Sequence, residues 1–120
     1  MEVPEILIVR EPISLTVIEP LRAWHHTLVK GVADVKRGTI ALGGDWHMDA
    51  NTVLIADGSE QKDVWGFNIY PSERGEKALE YISLINIRPA QGNTGMELMD
   101  TDLRNAIKAL IKKLIPDLDL

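Results

Sequence analysis

The stretch Val29-Lys-Gly-Val-Ala-Asp-Val-Lys-Arg-Gly-Thr-Ile-Ala-Leu-Gly43 decides the fold. Val29, Gly31, Ala33 and Val35 alternate onto one side, which is the period of a strand. Lys36-Arg37-Gly38 then turns the chain into a second apolar run, Thr39–Gly43. Two β-rich runs joined by a short connection with a glycine free to take a positive φ predict a β-hairpin, and with it an antiparallel sheet.

Working outward, a second hairpin is expected from Thr52-Val-Leu-Ile-Ala56 and Val64-Trp-Gly-Phe-Asn-Ile-Tyr70, joined by the polar connection Asp57–Asp63. In the latter strand Trp65, Phe67 and Ile69 are expected to face the core, with Gly66, Asn68 and Tyr70 outward. Ser72–Glu80 reads as charged turn, and Tyr81–Ile87 as a last strand stopped by Pro89. Upstream, Glu5–Arg10 is a short first strand. Ser14 can cap a helix over about Leu15–Val29 with a stripe of Val17, Leu21, Trp24 and Leu28, and Pro20 moves its regular part to begin there. The clearest helix follows Asp100 or Thr101. Its stripe is Leu103, Ile107, Leu110, Ile111 and Leu114, with Arg104, Lys108, Lys112 and Lys113 opposite and Pro116 ending it. The fold class expected is α+β: a single domain over residues 1–120, a mostly antiparallel sheet of five to six strands, and two helices on one face.

Composition bounds function. Of 120 residues, 45% are hydrophobic and 26% charged, as in a globular chain able to bury a core. A net charge of −5 opposes binding to nucleic acid. No apolar stretch approaches the roughly 18 residues of a membrane span, and Met1–Glu5 does not resemble a secretory signal. No cysteine is present, which removes disulfides, thiolate catalysis and cysteine metal sites. The expectation is a cytoplasmic protein with no membrane and no nucleic-acid partner; no cofactor is indicated. Walker, Gly-x-Gly-x-x-Gly, Gly-x-Ser-x-Gly and His-Glu-x-x-His motifs are all missing.

Three polar groupings remain. Asp45, His47 and Asp49 follow a strand end and offer an imidazole and two carboxylates, a set that zinc would accept. The plainer reading has the aspartates making turn hydrogen bonds while His47 caps the sheet, and it outweighs the metal, so no metal ligand is assigned. Asn68-Ile-Tyr70-Pro71 and Asn86-Ile-Arg88-Pro89 nearly repeat each other. In each, the Asn shares a side of the strand with the residue two later, so a polar network or a pocket floor is expected. Arg88, Gln91 and Asn93 bring a guanidinium and two amides into six residues, either to hold an anion or to stabilise their own loop. The adjacent His25-His26 diverge on a helix and are expected at the surface.

Gly43-Gly44, His47–Ala50, Asp57-Gly58-Ser59, Trp65–Pro71 and Ile85–Asn93 together resemble a family of small bacterial proteins catalogued as a domain of unknown function. The resemblance runs through nearly the whole chain. It implies a bacterial cytoplasmic protein and no particular activity; Pro20 departs from the regular first helix of that family. The function expected is a non-enzymatic ligand- or partner-binding module, regulatory in role, that uses Asp45, His47, Asp49, Asn68, Tyr70, Asn86, Arg88, Gln91 and Asn93. Its partner is an unknown small molecule or protein. The rival is a small, metal-assisted hydrolase with Asp45, His47 and Asp49 activating water and Arg88, Gln91 and Asn93 orienting an anionic substrate. It requires His47 and Arg88 to face one cleft. A third reading is a homo-oligomer joined through Trp46, Met48, Met96 and Met99.

Overall fold

The structure, a computed structural model, describes residues 5–120; the reading of Met1–Pro4 lies outside the described residues. The hairpin forms as its sequence predicts. Strand β2 (Val29–Asp34) pairs antiparallel with β3 (Thr39–Leu42), Gly31 lying opposite Leu42 and Asp34 opposite Thr39. Gly38 takes φ +66°, and Asp34 Oδ1 accepts the Arg37 N–H at 3.1 Å to tie the turn.

Strand β1 (Leu7–Val9) adds to the outer side of β3, β4 (Val64–Ile69) to the outer side of β2, and β5 (Leu79–Glu80) to β4. All four pairings are antiparallel, in the order β1-β3-β2-β4-β5. The α+β class and a five-stranded antiparallel sheet hold.

One face of the sheet carries the large core. Short helix α1 (Leu15–Ile18), capped by Ser14, passes into a 3-10 turn over Glu19–Ala23, so Pro20 replaces the long regular helix expected to Val29. Its buried contacts are Ile18 and Leu21, whereas Val17 is 45% exposed. Beside it packs α3 (Thr101–Leu114), whose Asp100 cap accepts the Leu103 N–H at 3.1 Å. Ile107, Ile111 and Leu114 are fully buried against Ile40, Leu42, Phe67 and Ile69. Each such side chain contributes about 1.5–3 kcal/mol.

The two expected helices share that face, and the opposite face carries a third that was not expected. Thr52–Ala56 is not a strand: it is the second half of a helix, α2 (His47–Ala56). Ala50 and Leu54 pack on Val32, Ala41 and Val64, giving a smaller second core. The side of β4 expected to face outward is therefore buried too, Gly66 and Asn68 included. Tyr81–Ile87 corrects likewise. The chain leaves the sheet after Glu80 and makes a 3-10 turn at Leu84–Asn86.

Candidate functional site

His47 opens α2, and its neighbours explain how it is aimed. Asp49 Oδ2 accepts the backbone N–H groups of Asp45 at 3.1 Å and Trp46 at 2.9 Å, so this carboxylate caps the helix. Asp45 is exposed, and its backbone oxygen lies 3.0 Å from His25 Nε2. The His47 ring turns the other way, over the end of β4, where Nε2 lies 2.7 Å from Asn68 Oδ1 and 3.0 Å from Phe67 O. The three side chains thus go to three destinations. Among the described residues no group of three or more His, Asp or Glu side chains is placed to hold a metal ion.

Phe67 and Asn68 together fix the protonation of that ring. Asn68 Nδ2 donates to Glu80 Oε1 at 2.8 Å and to Ile82 O at 3.1 Å, both acceptors, which leaves Oδ1 facing His47. Both oxygens near Nε2 are then acceptors, so Nε2 carries the hydrogen and the lone pair of the neutral ring sits on Nδ1. Burial is the main cause lowering the His47 pKa from 6.5, and the charge of Lys30 works in the same direction. Hydrogen bonds to Phe67 O and Asn68 Oδ1 and the charge of Glu80 oppose this. Tyr70 completes the chain of contacts by donating to Glu80 Oε1 at 2.6 Å; burial first, then Glu80, pushes its phenol up to about 12.

The imidazole and Asn68 border a cleft of about 450 Å³ between the start of α2 and the Ile82–Ile85 turn. Trp46, Met48, Ile82, Leu84 and Met96 form its apolar walls, and Lys30 stands at its edge with Nζ 5.3 Å from the centre of the Trp46 ring.

Arg88, Gln91 and Asn93 do not reach this cleft. Arg88 donates to Val64 O, to Gln61 O at 2.6 Å and to Ile85 O at 3.0 Å, and its guanidinium stacks 3.7 Å from the centre of the Trp65 ring. Gln91 Nε2 donates to Lys62 O at 2.9 Å. Asn93 Nδ2 donates to the carbonyls of Asn86, Gly95 and Glu97 at 2.8–3.1 Å while its Oδ1 accepts the Met99 N–H. Asn86 is wholly buried. Its Oδ1 accepts the Gly66 N–H at 2.8 Å and its Nδ2 donates to Gly66 O at 3.1 Å, so the side chain replaces a missing neighbouring strand. Gly66 is required there because a Cβ would lie 2.5 Å from Ser83 Cβ.

A family model described as a protein of unknown function, DUF5674, matches residues 7–114. The chain belongs to that family. No curated protein and no solved structure matches it. In this DUF5674 chain the hydrolase reading lacks its required geometry. Arg88 holds the first residue of β4 and His47 meets the other end of that strand, so the two do not share a cleft.

Of the cleft residues, the sequence singles out His47 and Asn68 as polar candidates and Trp46, Met48 and Met96 as an apolar face. Lys30 and the Ile82–Ile85 turn carry no such signal, nor does Glu80, which holds Asn68 from outside the cleft. The one available cue for the placement of Glu80 was its position two before Ile82 in a run that mixes charge with apolar residues. Among the described residues no helix is long and apolar enough to cross a membrane.

Proposed function

We propose that this protein is a non-enzymatic binding module, bacterial and cytoplasmic, whose ligand enters the cleft beside His47. One observation carries the reading. Of eight large hydrophobic side chains exposed among the described residues, five line this single cleft: Trp46, Met48, Ile82, Leu84 and Met96. Soluble proteins seldom gather exposed apolar groups unless something covers them. An apolar concavity with a few aimed polar atoms is the usual form of a small-molecule site. Its size suits an apolar molecule or one anchoring side chain of a peptide.

The test uses the environment-sensitive dye ANS as an apolar probe. Saturable binding at one site is expected, weakened about tenfold or more by Leu84→Glu, because this places a charge where apolar contact is needed. Leu84 is 60% exposed, so the substitution leaves the core intact. Unsaturable binding, or binding indifferent to Leu84→Glu, removes the cleft from the function.

A further inference from the structure

The cleft walls are mostly apolar, its polar lining is Lys30, His47, Asn68 and Ser83, and of these the His47 ring has a defined hydrogen-bonding sense. His47 is nine-tenths buried, its Nε2 is committed to Asn68 and Phe67, and Nδ1 has no partner among the described residues. Among the described residues the buried side-chain polar atoms left without partners are Trp24 Nε1 and Asp34 Oδ2, and Nδ1 is not one of them. Nδ1 therefore keeps some exposure, and the cleft is the cavity that His47 lines. A ligand there meets an acceptor, held in place by the contacts of Asn68 with Glu80 and Ile82.

From this, resting on the cleft being the binding site, we infer that the ligand is a small phenol-like molecule, an apolar ring bearing a hydroxyl that donates to His47 Nδ1. The alternatives fail on chemistry. A carboxylate gains from Lys30 at the edge, but it brings no proton and sets its lone pairs against that of Nδ1. An amine is a cation at neutral pH and meets Lys30 at the same edge of the cleft. A hydroxyl supplies the donor without charge, and an acidic phenol O–H makes the stronger bond to an imidazole while Lys30 favours charge developing on its oxygen. The walls suit a ring: the Trp46 indole offers stacking, and the Met48 and Met96 sulfurs favour aromatic partners.

The experiment compares para-propylphenol with its methyl ether and with para-propylbenzoate on the intact protein, by calorimetry and by chemical-shift changes at the cleft. The ether keeps the ring and chain but has no donor. The phenol is expected to bind about tenfold more tightly than the ether, the difference one hydrogen bond to a buried acceptor makes, and the benzoate more weakly than the phenol. Equal binding of phenol and ether at the cleft overturns this inference while leaving the binding-module reading standing. Binding of none of the three overturns both. In His47→Phe the advantage of the phenol over the ether is expected to vanish, and its persistence would overturn the assignment. Nitrogen-15 spectra of the unsubstituted protein give a check that needs no variant. The Nε2–H tautomer of His47 is expected, and the Nδ1–H tautomer would overturn the proposal.

Discussion

Asn68 and Asn86 stand in almost the same sequence setting, each followed by Ile, a polar residue and Pro, yet the fold puts them to opposite uses. Asn86 spends its amide on backbone. It pairs with the N–H and C=O of Gly66 and also donates to the carbonyls of Tyr81 and Met96. Asn68 spends most of its amide on side chains, orienting His47 and linking it to Glu80, with one further bond to the Ile82 carbonyl. The difference comes from where each strand ends. At Asn68 the ladder is intact, so the side chain is free to organise a site. At Asn86 the chain has already left the sheet, so the side chain must stand in for the ladder. A polar residue that replaces a strand has nothing left to offer a ligand.

The largest expected effect breaks the second half of that contrast. Asn86→Ala leaves the buried Gly66 N–H and C=O without partners and opens a polar gap, and is expected to cost about 3–4 kcal/mol. Urea unfolding of the variant checks it. A loss below about 1 kcal/mol would mean that water satisfies Gly66, and the contrast with Asn68 would collapse.

The same contrast shows what the sequence makes legible. The β2–β3 hairpin and α3 can be read because each has one clean period, two residues in Val29–Val35 and three to four in Ile107–Leu114. Helix α2 escapes reading because its buried positions, His47, Ala50, Asn51 and Leu54, follow helical spacing while two of the four are polar. The β-branched run Thr52-Val-Leu-Ile imitates a strand over the same residues. Arg88, Gln91 and Asn93 look like a ligand cluster for a related reason. Donors that serve backbone carbonyls and donors that serve a substrate are the same residue types, and only the path of the chain after Glu80 separates them.

Asn68→Ala gives the intermediate effect. It removes one partner of the His47 N–H and one of two donors to Glu80, but Phe67 O still accepts from the ring and Tyr70 still donates to Glu80. A loss of about 1–2 kcal/mol is expected, smaller than for Asn86. Because Phe67 O still accepts from Nε2, the Nε2–H tautomer is expected to persist, while the Nε2 nitrogen-15 shift is expected to move with the loss of one of its two acceptors. A stability loss equal to that of Asn86→Ala with the His47 nitrogen-15 shifts unmoved would make Asn68 a purely structural residue like Asn86.

The smallest expected effect is on pH dependence, and it belongs to the Asn68 end alone. In the folded protein His47 titrates below 6.5, mainly because it is buried and further because of Lys30. The unfolded chain, with an ordinary histidine, then binds more protons than the folded one at mildly acidic pH. Stability tied to His47 is therefore present above about pH 6.5 and is lost as pH falls through the lowered folded pKa, at no more than about 1.4 kcal/mol per pH unit. Asp57 does not obscure this window. Its carboxylate is held well below the ordinary range by hydrogen bonds from Arg10 and then Arg37, so its contribution is present above about pH 4 and fades only in stronger acid. Urea midpoints measured from about pH 7 to pH 5 should fall in the unsubstituted protein and flatten in His47→Phe. An equal slope in both would assign the titration elsewhere and remove the buried neutral imidazole from which the contrast between the two asparagines takes its functional meaning.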